Sequence, residues 1–252
     1  MRACVIVPHY DHVDQFSRML PQLQHHGLAL IVVDDASDEN VFVRLRGLLE
    51  REAPGARLVR HTENQGKGGA VMSGLIAARA AGYSHALQVD ADGQHDVDAI
   101  PRFLEIGREY PDSLVCGEPV FGKDISALRY YARHLTLFLC WAETLSLQIR
   151  DPMCGFRLYP LDRVVPIIER GGLGKRMAFD PEILVRSVWS GIPLRYLEVA
   201  VRYPKDGRSH FHYLGDNIEI SWMHTRMIAG MLLRAPGLVW KRLSASRVRE
   251  GL

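Results

Sequence analysis

Leu87-Gln88-Val89-Asp90-Ala91-Asp92-Gly93-Gln94-His95 joins an apolar segment to two aspartates one residue apart. If Leu87 and Val89 close a buried strand, that strand delivers two hard oxygen ligands to a solvent-facing edge. Mg²⁺ and Mn²⁺ are held by few carboxylates and fill their remaining positions with water and phosphate oxygens, so the turn suits metal-assisted chemistry on a diphosphate. The same residues also make ordinary turn chemistry. The flanking segments decide between these readings.

Upstream, apolar β-branched runs at 3–7, 29–33 and 56–59 alternate with helical patterns at 13–25, 41–52 and 68–81, and 85–89 continues the series. Runs apolar along their whole length predict strands covered on both faces, hence a largely parallel sheet between layers of helices. Open α/β sheets bind ligands beyond the carboxyl ends of their strands. Polar or glycine-rich clusters follow each run: Pro8-His9-Tyr10-Asp11, Asp34-Asp35-Ala36-Ser37-Asp38, Asn64-Gln65-Gly66-Lys67-Gly68-Gly69 and Asp90-Ala91-Asp92-Gly93-Gln94. The second half is less regular, with helices expected near 125–146, 161–169 and 181–190 and a strand near 194–201. The expected organisation is one catalytic α/β domain over 1–210 and a C-terminal helical segment over 211–252.

With 47% hydrophobic residues in 252, the chain can bury a real core. A net charge of +2, with no long basic tract in the first two hundred residues, gives no reason to expect nucleic acid as a partner. Cys4, Cys116, Cys140 and Cys154 are widely spaced without a Cys-x-x-Cys pair, which predicts reduced thiols rather than a disulfide framework or zinc site. The chain enters its first strand at Ala3, leaving no signal-peptide core, so the catalytic part is expected in the cytoplasm.

Each strand-end cluster has its own chemistry. Pro8 fixes the backbone leaving the first strand, and Tyr10 offers a ring face and hydroxyl to a base or ribose, or packs on the sheet edge. Asp34 and Asp35 can hold ribose hydroxyls, while Ser37 or Asp38 caps the next helix. Gly66-Lys67-Gly68-Gly69 opens a helix of small residues, where backbone N–H groups, the positive helix end and a lysine can meet a diphosphate. The glycine and Ser/Thr spacing of a Walker A loop is missing. The arginines of Leu128-Arg129-Tyr130-Tyr131-Ala132-Arg133-His134 can receive an acceptor phosphate or lie on a solvated helix face.

Taken in order, Val5-Ile6-Val7-Pro8-His9-Tyr10, Ile31-Val32-Val33-Asp34-Asp35-Ala36-Ser37-Asp38, Asn64-Gln65-Gly66-Lys67-Gly68, Asp90-Ala91-Asp92-Gly93-Gln94-His95 and Asp151-Pro152-Met153-Cys154-Gly155-Phe156-Arg157 resemble the family 2 glycosyltransferases, nearest the dolichyl- or polyprenyl-phosphate mannose synthases. The resemblance implies a GT-A fold and inverting transfer from a UDP- or GDP-sugar to a lipid or lipid-linked acceptor. It implies Mg²⁺ or Mn²⁺ on Asp90, Asp92 and Gln94, with the metal between Asp92 and the β-phosphate stabilising the leaving diphosphate. Pro8, Tyr10, Asp35, Lys67, Asp90 and Arg208 then face the nucleotide-diphosphate sugar, and Arg133 and Arg202 the acceptor phosphate. Where those synthases carry Gly-Ser-Arg, this chain has Gly117-Glu118-Pro119, which leaves a hydroxyl acceptor open. In that case Asp180 or Glu182 is the general base; otherwise Asp180 is the N-cap of a helix with Pro181 at its first position. Arg202, Arg208 and His210 lie in a basic stretch resembling a loop that closes over the diphosphate, hinged at Gly207.

Residues 213–233 interleave Ile218, Trp222, Met223, Met227 and Leu232 with Glu219, His224 and Arg226, and basic residues follow Trp240. No span approaches the roughly twenty apolar residues that cross a bilayer. The expectation is an amphipathic helix lying peripherally on the inner face of the cell membrane; the alternative is a helix closing the core or a dimer interface. Two rivals stand beside a transferase: a sugar-phosphate nucleotidyltransferase, against which Pro8-His9-Tyr10 argues because the longer glycine-rich loop is absent, and a non-catalytic nucleotide-sugar or lipid-binding subunit.

Overall fold

The computed structural model describes residues 1–120, 127–200 and 213–250. The chain runs β1 (Ala3–His9), α1 (Val13–His25), β2 (Ala29–Asp34), α2 (Glu39–Glu52), β3 (Arg57–Arg60), α3 (Lys67–Ala80), β4 (His85–Gln88), α4 (Ile100–Glu109), β5 (Leu114–Val120), α5 (Ala127–Thr144), β6 (Arg157–Pro160), α6 (Leu161–Glu169), α7 (Phe179–Trp189), β7 (Leu194–Ala200) and α8 (Tyr213–Glu250). The strands form one seven-stranded sheet in the order β3-β2-β1-β4-β6-β5-β7. All neighbours are parallel except that β6 runs antiparallel to both β4 and β5. The expected mostly parallel sheet flanked by helices is therefore what forms.

Alternation along β1 builds a core on each face of the sheet. Cys4 and Ile6 join Ile31, Val33 and the buried faces of α3, α6 and α7, whereas Val5 and Val7 join Val32, Phe16, Leu45 and Phe103 on the opposite side. Helix α1 buries Val13, Phe16, Leu20 and Leu23, the spacing of a single helical stripe. Helix α3 lies close to the sheet because it is built of small residues: a Cβ at Gly74 would stand 3.3 Å from Ile6.

Several boundaries differ from the sequence reading. Strands β5 and β6 escape the pattern because Gly117 and Pro119 interrupt the first, and the second opens on Arg157 and ends on Pro160. Helix α4 was not read from the sequence, although Ile100, Phe103 and Leu104 are buried at helical spacing and proline stands in its first turn. Helix α7 begins at Phe179 with Ala178 at its N-cap, so Asp180 lies inside the first turn and caps nothing. Helix α2 likewise starts without a side-chain cap from Asp38, and the Ser37 hydroxyl instead accepts the Asp11 backbone N–H at 3.0 Å.

The C-terminal helix does not stand apart from the domain. Met223, His224 and Met227 of α8 are buried in the core shared by α5 and α7. His224 Nδ1 lies 2.6 Å from Glu143 Oε1 of α5, and Arg226 Nη2 lies 3.3 Å from Glu182 Oε2 of α7. Among the described residues no helix is long and apolar enough to cross a membrane.

Candidate active site

The strand order reverses beside β1: the chain steps outward through β2 and β3, then returns to place β4 on the other side. Parallel strands that diverge from such a point leave a crevice beyond their carboxyl ends. Pro8, Asp34, Asp35 and Asp90 all belong to, or directly follow, the carboxyl ends of these strands.

The centre of the crevice is a lysine held between two carboxylates. Lys67 Nζ, at the first residue of α3, lies 2.9 Å from Asp90 Oδ2 and 3.0 Å from Asp180 Oδ2. Burial alone would lower the lysine pKa, but Asp180 and Asp90 outweigh it and raise it. Burial alone would raise the Asp90 carboxyl, and Lys67 followed by His95 hold it well below the usual carboxylate range. Gln88 Nε2 donates to Asp90 Oδ1 at 2.9 Å, and Tyr159 OH donates to Gln88 Oε1 at 3.0 Å. The loop carrying Gly155 closes one side: a Cβ there would stand 2.6 Å from Gln88 Nε2, 2.7 Å from Lys67 Nζ and 2.9 Å from Asp90 Oδ2. His95 Nδ1 accepts the Asp90 backbone N–H at 3.3 Å, and its ring stacks on Phe156 at 4.9 Å.

Asp92 stands one residue beyond the cluster, half-buried, accepting the Gln94 backbone N–H at 3.0 Å. The described residues hold no group of three or more His, Cys, Asp or Glu side chains able to bind a metal by themselves. Asp90 and Asp92 together make a two-carboxylate turn, which fits a Mg²⁺ or Mn²⁺ ion completed by substrate phosphates rather than an all-protein cage.

The glycine-rich helix start is built differently from the expected anion cradle. Gly66, at φ +84°, donates its N–H to Asp35 Oδ2 at 2.7 Å, and Gly69 N–H donates to Lys175 O at 2.8 Å. A Cβ on Gly66 would meet Arg176 at 2.5 Å and one on Gly68 would meet Phe179 at 2.4 Å. These amides serve the protein's own turn, and Lys67 is what the turn presents to the crevice. Asp35 clamps it: Oδ1 also accepts from Gln65 N–H at 2.9 Å and lies 2.7 Å from His61 Nδ1. Asp34 is buried against His9 and Ser37. Tyr10 is half-buried, its hydroxyl pKa raised by burial and then by Asp11, Asp38 and Asp35. Pro8 is half-buried in register with Val33.

The two acids weighed as bases part company. Asp180 is in the cluster, with the buried Arg157 Nη1 3.8 Å from Oδ1 and 2.8 Å from its backbone carbonyl. Glu182, two residues further along the helix, is fully buried elsewhere: Arg186 Nη2 lies 2.6 Å from Oε1, and Oε2 accepts Gly174 N–H at 2.8 Å. It fastens α7 to the preceding loop and to α8. Arg133 of α5 is ion-paired with Asp151, whose other oxygen accepts the N–H groups of Met153 and Cys154. Arg202 and Arg208 lie outside the described residues. Arg157, Gln88 and Tyr159 were not assigned from sequence, although an arginine opening an apolar strand and a glutamine inside one were visible signals. All four cysteines are free and buried, and burial pushes the Cys4, Cys116 and Cys154 thiols up to about 12.

A doubly wound sheet whose strand ends gather an Asp-x-Asp turn and a half-buried lysine defines an α/β protein with its crevice at the carboxyl ends of the strands. The sequence pattern of glycosyl transferase family 2 matches residues 4–160, and the chain belongs to that family. It is 28% identical over 204 residues to a dolichyl-phosphate beta-glucosyltransferase of Dictyostelium discoideum, covering 76% of this chain and 60% of that protein. It is 28% identical over 221 residues to an undecaprenyl-phosphate mannosyltransferase of Micrococcus luteus, covering 79% and 84%. This chain thus spans about three fifths of the length of the Dictyostelium relative. In fold it resembles glucosyl-3-phosphoglycerate synthase from Mycobacterium tuberculosis, solved with Mn²⁺, UDP-glucose and phosphoglyceric acid, at a TM-score of 0.61 and 15% identity over 93% of this chain and 79% of the other. A Pyrobaculum calidifontis mannosyltransferase solved with GDP-Man and Mn²⁺ gives 0.58 and 20% identity over 82% and 58%.

Proposed function

We propose that the protein is an inverting glycosyltransferase that moves a sugar from a UDP- or GDP-sugar to a polyprenyl phosphate at the cytoplasmic face of the membrane. The observation that carries the choice of acceptor is the fate of the two acids. A hydroxyl acceptor needs a free base, but Glu182 is spent on Arg186 and Arg226, and Asp180 gives one oxygen to Lys67 while its other, which accepts no hydrogen bond, is buried beside Arg157. A phosphate brings its own anionic oxygen and needs no base. The relatives named for dolichyl- and undecaprenyl-phosphate support this reading, as do the sugar-nucleotide complexes of the fold neighbours.

Asp90 and Asp92 would hold a divalent cation with the donor diphosphate, and the ion would stabilise the leaving group. Arg133 is the acceptor-phosphate ligand in this reading, exchanging Asp151 for the lipid phosphate; Asp151 opens the loop that carries Gly155 against Lys67 and Asp90. Pro8, Tyr10 and Asp35 are assigned to the nucleoside side, and the family resemblance assigns Arg208 to the donor and Arg202 to the acceptor.

Helices α5 and α8 pack on one another, and both expose apolar side chains: Tyr131, Leu135 and Phe138 at helical spacing on α5, Ile218, Trp222, Leu232 and Leu233 on α8. Such stripes support peripheral insertion into the membrane interface, where the acceptor's lipid tail resides. The free, buried thiols are compatible with a reducing compartment.

The test is incubation with UDP- and GDP-sugars, Mn²⁺ and total lipid extract, followed by mild acid. An acid-labile glycolipid, absent with Asp92→Asn, supports a glycosyl phosphate product. An acid-stable glycolipid moves the acceptor to a hydroxyl, and no product with any donor favours a non-catalytic subunit.

A further inference from the structure

We propose that Lys67 is a stand-in cation: without donor, its ammonium occupies the Asp90 oxygen that a divalent metal requires, so metal binding at Asp90 and Asp92 depends on a nucleotide diphosphate drawing Lys67 away. The inference rests on the metal-dependent nucleotide-sugar reading above.

Both Asp90 oxygens are already bonded. Oδ1 accepts from Gln88 Nε2 at 2.9 Å and Oδ2 from Lys67 Nζ at 2.9 Å. The first bond is locked, because Gln88 is fully buried and its own oxygen is held by buried Tyr159. The second is the one that can be released. The Lys67 side chain retains 23% exposure and has a second anchor, Asp180 Oδ2 at 3.0 Å, on which it can pivot. The Gly155 backbone lies against the same pair, since a Cβ there would stand 2.7 Å from Lys67 Nζ and 2.9 Å from Asp90 Oδ2. A divalent ion sharing Asp90 Oδ2 with the ammonium would meet strong repulsion in this half-buried setting.

Nor does the protein complete a metal site by itself: among the described residues no group of three or more His, Cys, Asp or Glu side chains is placed to hold an ion, and the nearby Asp180 is engaged by Lys67. A nucleotide diphosphate supplies both missing parts, oxygen ligands for the metal and negative charge for the displaced lysine. Lys67 therefore couples metal to donor: the site stays neutralised when empty and takes the ion only with its substrate. Coupling of this kind is reciprocal, so the metal tightens nucleotide binding by the same factor.

The test follows Mn²⁺ binding by electron paramagnetic resonance for the wild type and Lys67→Met, each alone and with UDP or GDP. The wild type is expected to bind Mn²⁺ at least tenfold more tightly with its nucleotide than without. Lys67→Met is expected to bind Mn²⁺ alone at least tenfold more tightly than the wild type does, and to lose most of the nucleotide dependence. Lys67→Arg should keep it. Equal affinity of the wild type and Lys67→Met for Mn²⁺ alone overturns the inference while leaving the functional reading standing. Absence of Mn²⁺ binding by the wild type with either nucleotide overturns both.

A measurement on the wild type guards against a variant that fails to fold. The chain has five lysines, so the ¹⁵N-lysine side-chain spectrum is simple. The Lys67 ammonium signal should be slowly exchanging in the free protein, unmoved by Mg²⁺ alone and shifted by Mg²⁺ with nucleotide. A shift with Mg²⁺ alone contradicts the stand-in role.

Discussion

Glu182 of α7 and Arg226 of α8 form an ion pair, with Nη2 3.3 Å from Oε2, and Arg186 completes the charge around the same buried carboxylate. Removing one partner of a buried pair leaves the rest uncompensated, at a cost of about 3 kcal/mol. Glu182→Gln is expected to lower the urea midpoint accordingly and to loosen α8, read as faster amide exchange around Met223 and Met227. Unchanged stability would remove the view that Glu182 fastens this helix.

Gly155→Ala tests how tightly the crevice is built. The added methyl would stand 2.6 Å from Gln88 Nε2 and 2.7 Å from Lys67 Nζ, in a cluster whose members hold one another in place. A shift of about 1 Å at reacting groups costs roughly a hundredfold in rate. The expected result is a kcat lowered by that order with cooperative unfolding retained, checked by turnover and by thermal melting.

The apolar stripes give a prediction on membrane association. Phe138 and Trp222 are 61% and 62% exposed, so replacing them disturbs little packing. Each contributes about 2 kcal/mol on leaving water, so Phe138→Glu or Trp222→Glu should weaken binding to anionic vesicles by roughly thirtyfold. Sedimentation with liposomes reads this directly. Retained binding by the double variant would assign membrane contact to another surface.

Acid stability should report on Asp34. Burial alone would raise its carboxyl, but hydrogen bonds from His9 and Ser37 outweigh it and hold it below the ordinary value of 3.8. The folded protein then binds fewer protons there than the unfolded chain, so this stabilisation is present above 3.8 and is lost as pH falls through the depressed value. Glu143 runs the other way: burial raises it despite the His224 partner, so its contribution is present below 4.5 and is lost as pH rises through the folded value. Urea midpoints between about pH 2 and 5 should fall less steeply on acidification in Asp34→Asn than in the wild type, and more steeply in Glu143→Gln.

Much of this architecture was legible because the relevant signals are local. Helix α1 and the helix at Leu161–Glu169 match their periodic patterns residue for residue, and β1 through β4 announce themselves as apolar runs between polar turns. The Asp-x-Asp turn was legible for the same reason. What escaped is non-local. Asp180 reads as a cap because Asp-Pro-Glu is a helix-start sequence, yet its partner Lys67 lies 113 residues away. Glu182 looks equally available in sequence and is consumed by Arg186 one turn along and by Arg226, which only the packing of α8 brings near. The Gly66–Gly69 turn suggests an anion cradle until Asp35 and Lys175 are seen to take the amides of Gly66 and Gly69. Propensity and motif reveal which groups can react; tertiary contacts decide which are left to do so.

The most direct test offers the wild-type protein a polyprenyl phosphate and the corresponding free polyprenol, each with Mn²⁺ and its preferred sugar nucleotide, and identifies the lipid product by mass spectrometry. With both acids paired to cations, the account predicts a glycosyl phosphate from the phosphorylated lipid and no product from the alcohol. Efficient glycosylation of the alcohol would show that a base is available in this crevice and would contradict the assignment.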